Sequence, residues 1–375
     1  MPGLYIHIPF CHQACYYCNF HFSTGSRGRH EMVEAIIREL EMRAFESSPL
    51  HFETIYLGGG TPSLLDISDL EILFEGILKN GYIESGAEIT LEANPEDLYP
   101  EKLKAMKAFG INRLSIGIQS FNDEILKSLN RNHTSEIAIK SIENAQHAGF
   151  DNFTIDLIYG IPGLGDDEWK LELKKAFASG ITHLSAYCLT VEKRTALDYL
   201  IQKGTLPAID DQQGASQFEI LMDESAGAGF EQYEISNFAK DQAIAIHNSS
   251  YWKGKPYIGL GPSAHSFDGK TRSWNIANNN AYLKGILTGQ LNYESEVLSS
   301  RDHFNETIMT RLRTSVGLNV TELSKSFPDY FRQIIPVVEK LTNEGMLCTE
   351  AENIKLTRRG KLFADQVSSA LFIAQ

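Results

Sequence analysis

Three of the chain's five cysteines, Cys11, Cys15 and Cys18, fall inside the stretch YIHIPFCHQACYYCNFH. The spacing C-x3-C-x2-C can aim three sulfurs from one short loop at one object. Thiolates are soft ligands that select zinc, copper(I) or iron–sulfur clusters. A structural zinc site takes four protein ligands, and a four-iron cluster ordinarily takes four cysteines. The next thiol, Cys188, is far along the chain. Three thiolates on a four-iron cluster would leave one iron open to an exchangeable ligand. A zinc site completed by His7, His12 or His21 is the alternative that the local spacing leaves open. A disulfide framework is not expected from five unevenly spread cysteines with no mark of secretion.

Further polar motifs punctuate the first half of the chain. They are Gly58-Gly59-Gly60-Thr61-Pro62, Glu92-Ala93-Asn94-Pro95, Gln119-Ser120-Phe121, and Asp156 shortly before Tyr159-Gly160-Ile161-Pro162-Gly163. Singly, a glycine run is a turn and a lone acid is a surface charge. Their weight comes from what precedes them. Strands are expected at residues 4–8, 54–57, 88–91, 113–118, 153–158 and 183–189. Helices are expected at 31–44, 68–78 (with Ser68 as N-cap), 101–109, 123–128, 135–147 and 166–178. Six strand–helix repeats argue for a parallel sheet. No dinucleotide fingerprint follows the first strand, so a partial (β/α)6 barrel is the expected architecture. Ligands of such folds sit at the C-terminal ends of the strands, which is where each of these motifs falls.

The second half is less regular. A helix is expected at 210–226, followed by His247-Asn248-Ser249-Ser250-Tyr251-Trp252 and a glycine-rich stretch at 259–266. That stretch partly mimics a dinucleotide loop, but a proline lies inside it and no βαβ context surrounds it. From about residue 300 helices are expected at 303–314, 321–326, 330–343 and 358–371, with a hairpin at 346–349 and 353–356. This reads as a winged-helix-like module. Its would-be recognition helix sets Asp329, Glu339 and Glu344 against Arg332 and Lys340, which favours an interaction or lid role over DNA binding. The expected division is residues 1–210, a connecting and barrel-completing segment 211–299, and 300–375.

Net charge is −14 over 375 residues, which argues against nucleic acid as principal partner and allows at most peripheral membrane contact. No apolar run approaches the ~20 residues of a membrane span. Met1-Pro2-Gly3 leads straight into the first strand without a signal peptide, so a reducing, cytoplasmic setting is expected.

The cysteine stretch resembles the radical S-adenosylmethionine (SAM) superfamily, whose signature is C-x3-C-x2-C. Within it, YIHIPFC resembles the branch that holds oxygen-independent coproporphyrinogen III oxidase and the HemW-type haem chaperones. The resemblance implies a [4Fe–4S] cluster on Cys11, Cys15 and Cys18, with SAM completing the fourth iron. It implies SAM contacts from Tyr17 beside the adenine, Gly60 and Thr61 near the ammonium, Glu92 and Arg131 at the methionyl part, Gln119 and Asp156 at the ribose, and Tyr5 beneath. The chemistry implied is one-electron reduction of the sulfonium, which yields methionine and a 5′-deoxyadenosyl radical.

Two departures set this chain apart from the oxidase. The oxidase carries a further cysteine two positions after the third, where this chain has Phe20, and it carries a longer N-terminal extension. HNSSYW also fits the chaperones' H-N-x-x-Y-W pattern. The resemblance therefore implies a haem chaperone with haem as cargo, His247 as a candidate haem ligand and His265 as a second. Haem or porphyrin, a haem-acceptor protein and a one-electron reductant are the expected partners. Porphyrinogen oxidation, radical chemistry on another substrate and a zinc-stabilised binding protein remain the alternatives.

Overall fold

Six apolar runs form the parallel strands β1 (Gly3–Ile8), β2 (Leu50–Gly59), β3 (Gly81–Ala93), β4 (Arg113–Gln119), β5 (Phe153–Tyr159) and β6 (His183–Cys188). They lie side by side in chain order. A computed structural model describes residues 3–25, 27–44 and 50–374 of the chain; Met1 and Pro2, read above as leading into the first strand, lie outside the described residues. Parallel neighbours require crossovers. These are supplied by α1 (Arg29–Ala44), α2 (Ile67–Asn80), α3 (Pro100–Ala108), α4 (Asp123–Ser128), α5 (Ser135–His147) and α6 (Asp166–Ala178). Leu4, Ile6, Leu57, Leu91, Ile116, Ile155 and Leu184 are fully buried between sheet and helices. Each such side chain contributes ~1.5–3 kcal/mol by leaving water.

Next come α7 (Ala196–Gln202), α8 (Asp211–Gly227), β7 (Glu231–Glu234), β8 (Asn237–Ala239), α9 (Ile246–Trp252), β9 (Tyr257–Leu260), β10 (His265–Phe267), β11 (Thr271–Asn275), α10 (Asn279–Leu287) and β12 (Tyr293–Val297). They extend the sheet at both ends, to the order β12-β11-β10-β9-β1-β2-β3-β4-β5-β6-β8-β7. β9 pairs parallel with β1, Gly3 opposite Tyr257, whereas β8 pairs antiparallel with β6. The fold is thus the expected α/β partial barrel, with an added parallel strand at its first edge.

The remaining elements are α11 (Ser300–Leu312), β13 (Leu318–Asn319), α12 (Val320–Ser326), α13 (Pro328–Asn343), β14 (Leu347–Glu350), β15 (Asn353–Leu356), α14 (Arg358–Lys361) and α15 (Ala364–Ala370). They form a mainly helical, winged-helix-like tail with its own core of Phe304, Ile308, Leu323, Ile334 and Ile354. Two expectations are corrected. Ser68 lies inside α2, whose flanking residue is Asp66. The single helix expected at 358–371 breaks at Phe363 (φ −121, ψ 28), and the break turns Ala364, Val367 and Leu371 into the tail's core.

Candidate functional site

The cysteine loop is held at its neck and at its middle. At the neck, Ser23 N donates to Pro9 O at 2.9 Å and Cys11 N to Ser23 O at 3.0 Å. In the middle, Tyr16 N donates to Leu129 O at 3.2 Å, Gln13 to Asn130 O at 2.6 Å, and Asn130 to Ala14 O at 2.7 Å. Asn130 has φ 58, a left-handed backbone that Asn tolerates better than most residues. The α4–α5 connection, which carries Arg131 next in chain, is thereby fastened to the thiol loop. Gly60 packs on the other side. A Cβ there would lie 2.6 Å from the Phe10 carbonyl oxygen, so only glycine permits the approach. The amides of Gly60 and Thr61 donate to Ile8 O (2.9 Å) and Phe10 O (2.7 Å). The glycine run therefore shapes the loop that carries the thiols as well as lining the space beside it.

That space is a cavity of about 430 Å³ at the C-terminal ends of the strands. Cys11, Cys15, Cys18, Tyr17, Gly60, Thr61, Glu92, Gln119, Arg131 and Asp156 all line it. Thr61 Oγ1 donates to Cys11 Sγ at 3.5 Å, and Arg131 Nη1 to Cys15 Sγ at 3.3 Å. Arg131 Nη2 also donates to Asn94 Oδ1 (2.8 Å) and Gly117 O (2.9 Å), while its buried Nε has no partner among the described residues. Burial pushes the Cys11 thiol up to about 11, so a thiolate there calls for a metal or another cation to hold its charge.

The two acids are as deep. Glu92 accepts from Tyr56 Oη at 2.7 Å and from Gly59 N at 3.2 Å. Burial, aided by the Asp156 charge, raises it to about 7. Asp156 accepts from Ser115 Oγ at 3.2 Å, and burial raises it to about 6. Both acids gain from a cation or a hydroxyl donor brought into the cavity. Gln119 ends β4 with φ 67, a strained conformation for a non-glycine residue that recurs at ligand sites.

The histidines weighed as zinc ligands are engaged elsewhere. His7 pairs with His21 O (2.8 Å), His12 with Asp97 (3.0 Å) and His21 with Asn279 (2.7 Å). Among the described residues no three His, Cys, Asp or Glu side chains are close enough to share one metal ion. Sulfurs bound to separate irons of a cluster need not meet that tight spacing. The donor set fits a cluster better than zinc, and the buried, part-unpaired Arg131 with two protonatable acids fits a zwitterionic cation such as SAM.

Other residues fall differently. Tyr5 lies in the barrel interior beneath the cavity, its hydroxyl 3.1 Å from His7 Nδ1 and its ring stacked on Tyr56. His247 is only 2% exposed. Its Nδ1 is 2.8 Å from Thr54 Oγ1 and its Nε2 2.9 Å from Tyr251 Oη, so neither ring nitrogen is free for iron. It sits near Gly3, at the strand ends opposite the thiols. His265 is exposed and stacked on Trp274. Sequence reading passed over Asn94, which joins Thr61 to Arg131 and belongs to the same motif as Glu92. It also set Cys188 aside for its distance along the chain, yet Cys188 ends β6 and lines this cavity.

Residues 5–176 match the model of the radical SAM superfamily, and residues 298–363 match that of the HemN C-terminal domain. The chain is 32% identical to a Bacillus subtilis protein named heme chaperone HemW, over 99% of both chains. It is 33% identical to a Mycobacterium tuberculosis protein of the same name, over 98% of this chain and 94% of that one. The chain belongs to the HemW family of radical SAM proteins. Another relative is mouse radical S-adenosyl methionine domain-containing protein 1, at 32% identity over 97% of this chain and 86% of that one. Among solved structures, the HemW-family fold seen here matches coproporphyrinogen III oxidase (HemN) from Escherichia coli with a TM-score of 0.87 and 23% identity, over 99% of this chain and 90% of that one. The radical SAM family implies a [4Fe–4S] cluster and SAM. Among the described residues no helix is long and apolar enough to cross a membrane.

Proposed function

We propose that this chain is a radical SAM protein that binds haem and passes it to an acceptor protein in a reducing, cytoplasmic setting. Its cluster would rest on Cys11, Cys15 and Cys18. The observation that carries the haem reading is the similarity, over nearly the full length of both chains, to proteins named heme chaperone HemW.

The residues of the rim divide the work of holding SAM by charge. Arg131 faces the carboxylate, with Asn94 and Gly117 O fixing its guanidinium. Glu92 accepts from the ammonium, and Tyr56 and Gly59 N keep it in place. Asp156 and Gln119 take the ribose hydroxyls, Tyr17 flanks the adenine, and Tyr5 supports the floor beneath. When bound, the cluster supplies an electron to the SAM sulfonium, and a one-electron reductant must recharge it. The protein's part is to orient the two groups and keep water from them. Phe20 stands where the oxidase branch has its further cysteine, and it is exposed and lines the thiol cavity. That substitution supports the chaperone over the oxidase.

The test offers anaerobic protein, with cluster and SAM, both haem and coproporphyrinogen III. Haem binding at about one per chain by spectral titration, with no protoporphyrinogen by chromatography, is the expected outcome. Conversion of coproporphyrinogen at enzymatic rates would restore the oxidase reading.

A further inference from the structure

A second cavity, of about 610 Å³, lies between the end of α9 with the β9–β11 hairpins and the helices α11 and α12 of the tail. Its chemistry is unlike that of the thiol cavity. Tyr251, Tyr257, Phe267 and Phe327 give it aromatic walls, the first two packed edge to face at 4.7 Å. Four cations, Lys253, Lys255, Arg272 and Arg311, line it against two carboxylates, Glu306 and Glu322, in a chain whose net charge is −14. Arg272 is tied to Glu306 at 2.5 Å and Lys255 to Glu53 at 3.1 Å. Lys253 and Arg311 form no ion pair among the described residues. On α11, His303 points its ring toward Phe267, with centroids 6.3 Å apart, and that ring makes no hydrogen bond among the described residues.

We propose that this cleft is where the chain holds haem, with His303 as the axial imidazole and Lys253 and Arg311 meeting the propionates. The assignment rests on the haem-binding reading above and says where that binding occurs. Haem is a flat apolar ring with an iron that takes imidazole and two carboxylates that need cations. The cleft offers all three kinds of partner together. The thiol cavity offers the reverse, three carboxylates (Glu92, Glu96 and Asp156) with one arginine, which suits a sulfonium and repels a dicarboxylate. The placement also gives HNSSYW a role. His247 is buried and doubly hydrogen-bonded, and the motif reaches the cleft through Tyr251, whose hydroxyl His247 holds at 2.9 Å. His247 is a positioning residue for the aromatic wall, and His303 is the ligand.

The experiment titrates cluster-loaded, full-length protein with ferric haem under anaerobic conditions, and reads the axial ligand from the Soret band and electron paramagnetic resonance. His303→Ala should weaken binding about tenfold or more and erase the imidazole signature, while His247→Gln should keep that signature. Lys253→Glu combined with Arg311→Glu should weaken haem roughly tenfold and leave haem dimethyl ester within about twofold. Lys253 is exposed and Arg311 half-buried, and neither belongs to a hydrophobic core, so the pair gives an independent reading should His303→Ala fail to fold. Wild-type protein that takes up no haem overturns the haem-binding reading itself. Wild-type binding with an unaltered His303→Ala spectrum, loss of the imidazole signature in His247→Gln, or equal weakening of acid and ester overturns the cleft.

Discussion

The rim cavity and the tail cleft show how one chain can sort two ligands by charge. The rim collects thiols and buried acids around one guanidinium, on strand ends that the barrel holds rigidly. The cleft collects exposed lysines and half-buried arginines with aromatic rings, on elements from two separate hydrophobic cores. The rim groups are desolvated and tuned by one another, as the raised values of Glu92 and Asp156 show. The cleft cations remain near water, where single charges are worth less. Substitutions of the rim thiols should therefore be all-or-nothing, and those of the cleft cations graded.

The largest effect expected is at the thiols. Cys11→Ala, Cys15→Ala or Cys18→Ala should each abolish the cluster, measured as iron and sulfide after anaerobic reconstitution. Cys188→Ala and Cys348→Ala should retain it. Haem titration of Cys15→Ala should match the wild type, which separates the two sites. If haem binding vanishes along with the cluster, the comparison between independent cavities fails.

A smaller effect is expected at Arg131. Arg131→Ala should weaken SAM by ten- to a hundredfold, the ~1.5–3 kcal/mol of a charge-assisted pair, without altering haem affinity. Equilibrium dialysis with labelled SAM measures this. Unchanged SAM affinity would remove Arg131 from the site.

The smallest effect is a pH dependence. Folding holds a proton on Glu92 up to about 7, above the ordinary value of 4.5. The unfolded chain has released that proton by then. Stability from this group is complete below the unfolded value and is lost as pH rises through the folded one, on the order of 3 kcal/mol in all. Asp156, raised to about 6, acts in the same direction. The Tm of SAM-free protein should fall as pH rises from about 5 to about 8. Glu92→Gln should flatten that slope, and so should bound SAM. A slope unaffected by Glu92→Gln would mean the carboxylate is less buried than the structure places it.

The barrel was readable because its signals are local. The buried part of each inner strand is a short apolar run, each helix shows its periodicity within one window, and each rim motif lies at or just past the C-terminal end of its strand. What escaped reading depends on distant partners. β9 is four residues long and gains its identity by pairing with β1. Cys188 faces the cavity because β6 stands in the same sheet as β1, which separation in sequence conceals. His247 looks like a free ligand until Thr54 and Tyr251 are brought to its two nitrogens. Of the cleft's lining only Tyr251 belongs to a motif read from the sequence, since residues 251–272 and 303–327 meet only through packing.

The pairing of β1 with β9 bears on how the protein is made. The strand that carries the thiol loop leaves the ribosome roughly 250 residues ahead of the strand that closes its outer edge. At ~5–20 residues per second that interval is on the order of ten to fifty seconds. During it β1 presents an unpaired edge, and three thiols sit on a loop whose contacts with Leu129 and Asn130 form only when those residues emerge. The thiol loop thus lacks its Leu129 and Asn130 contacts until the first four strands have been translated, and the open edge of β1 stays available for mispairing until β9 arrives.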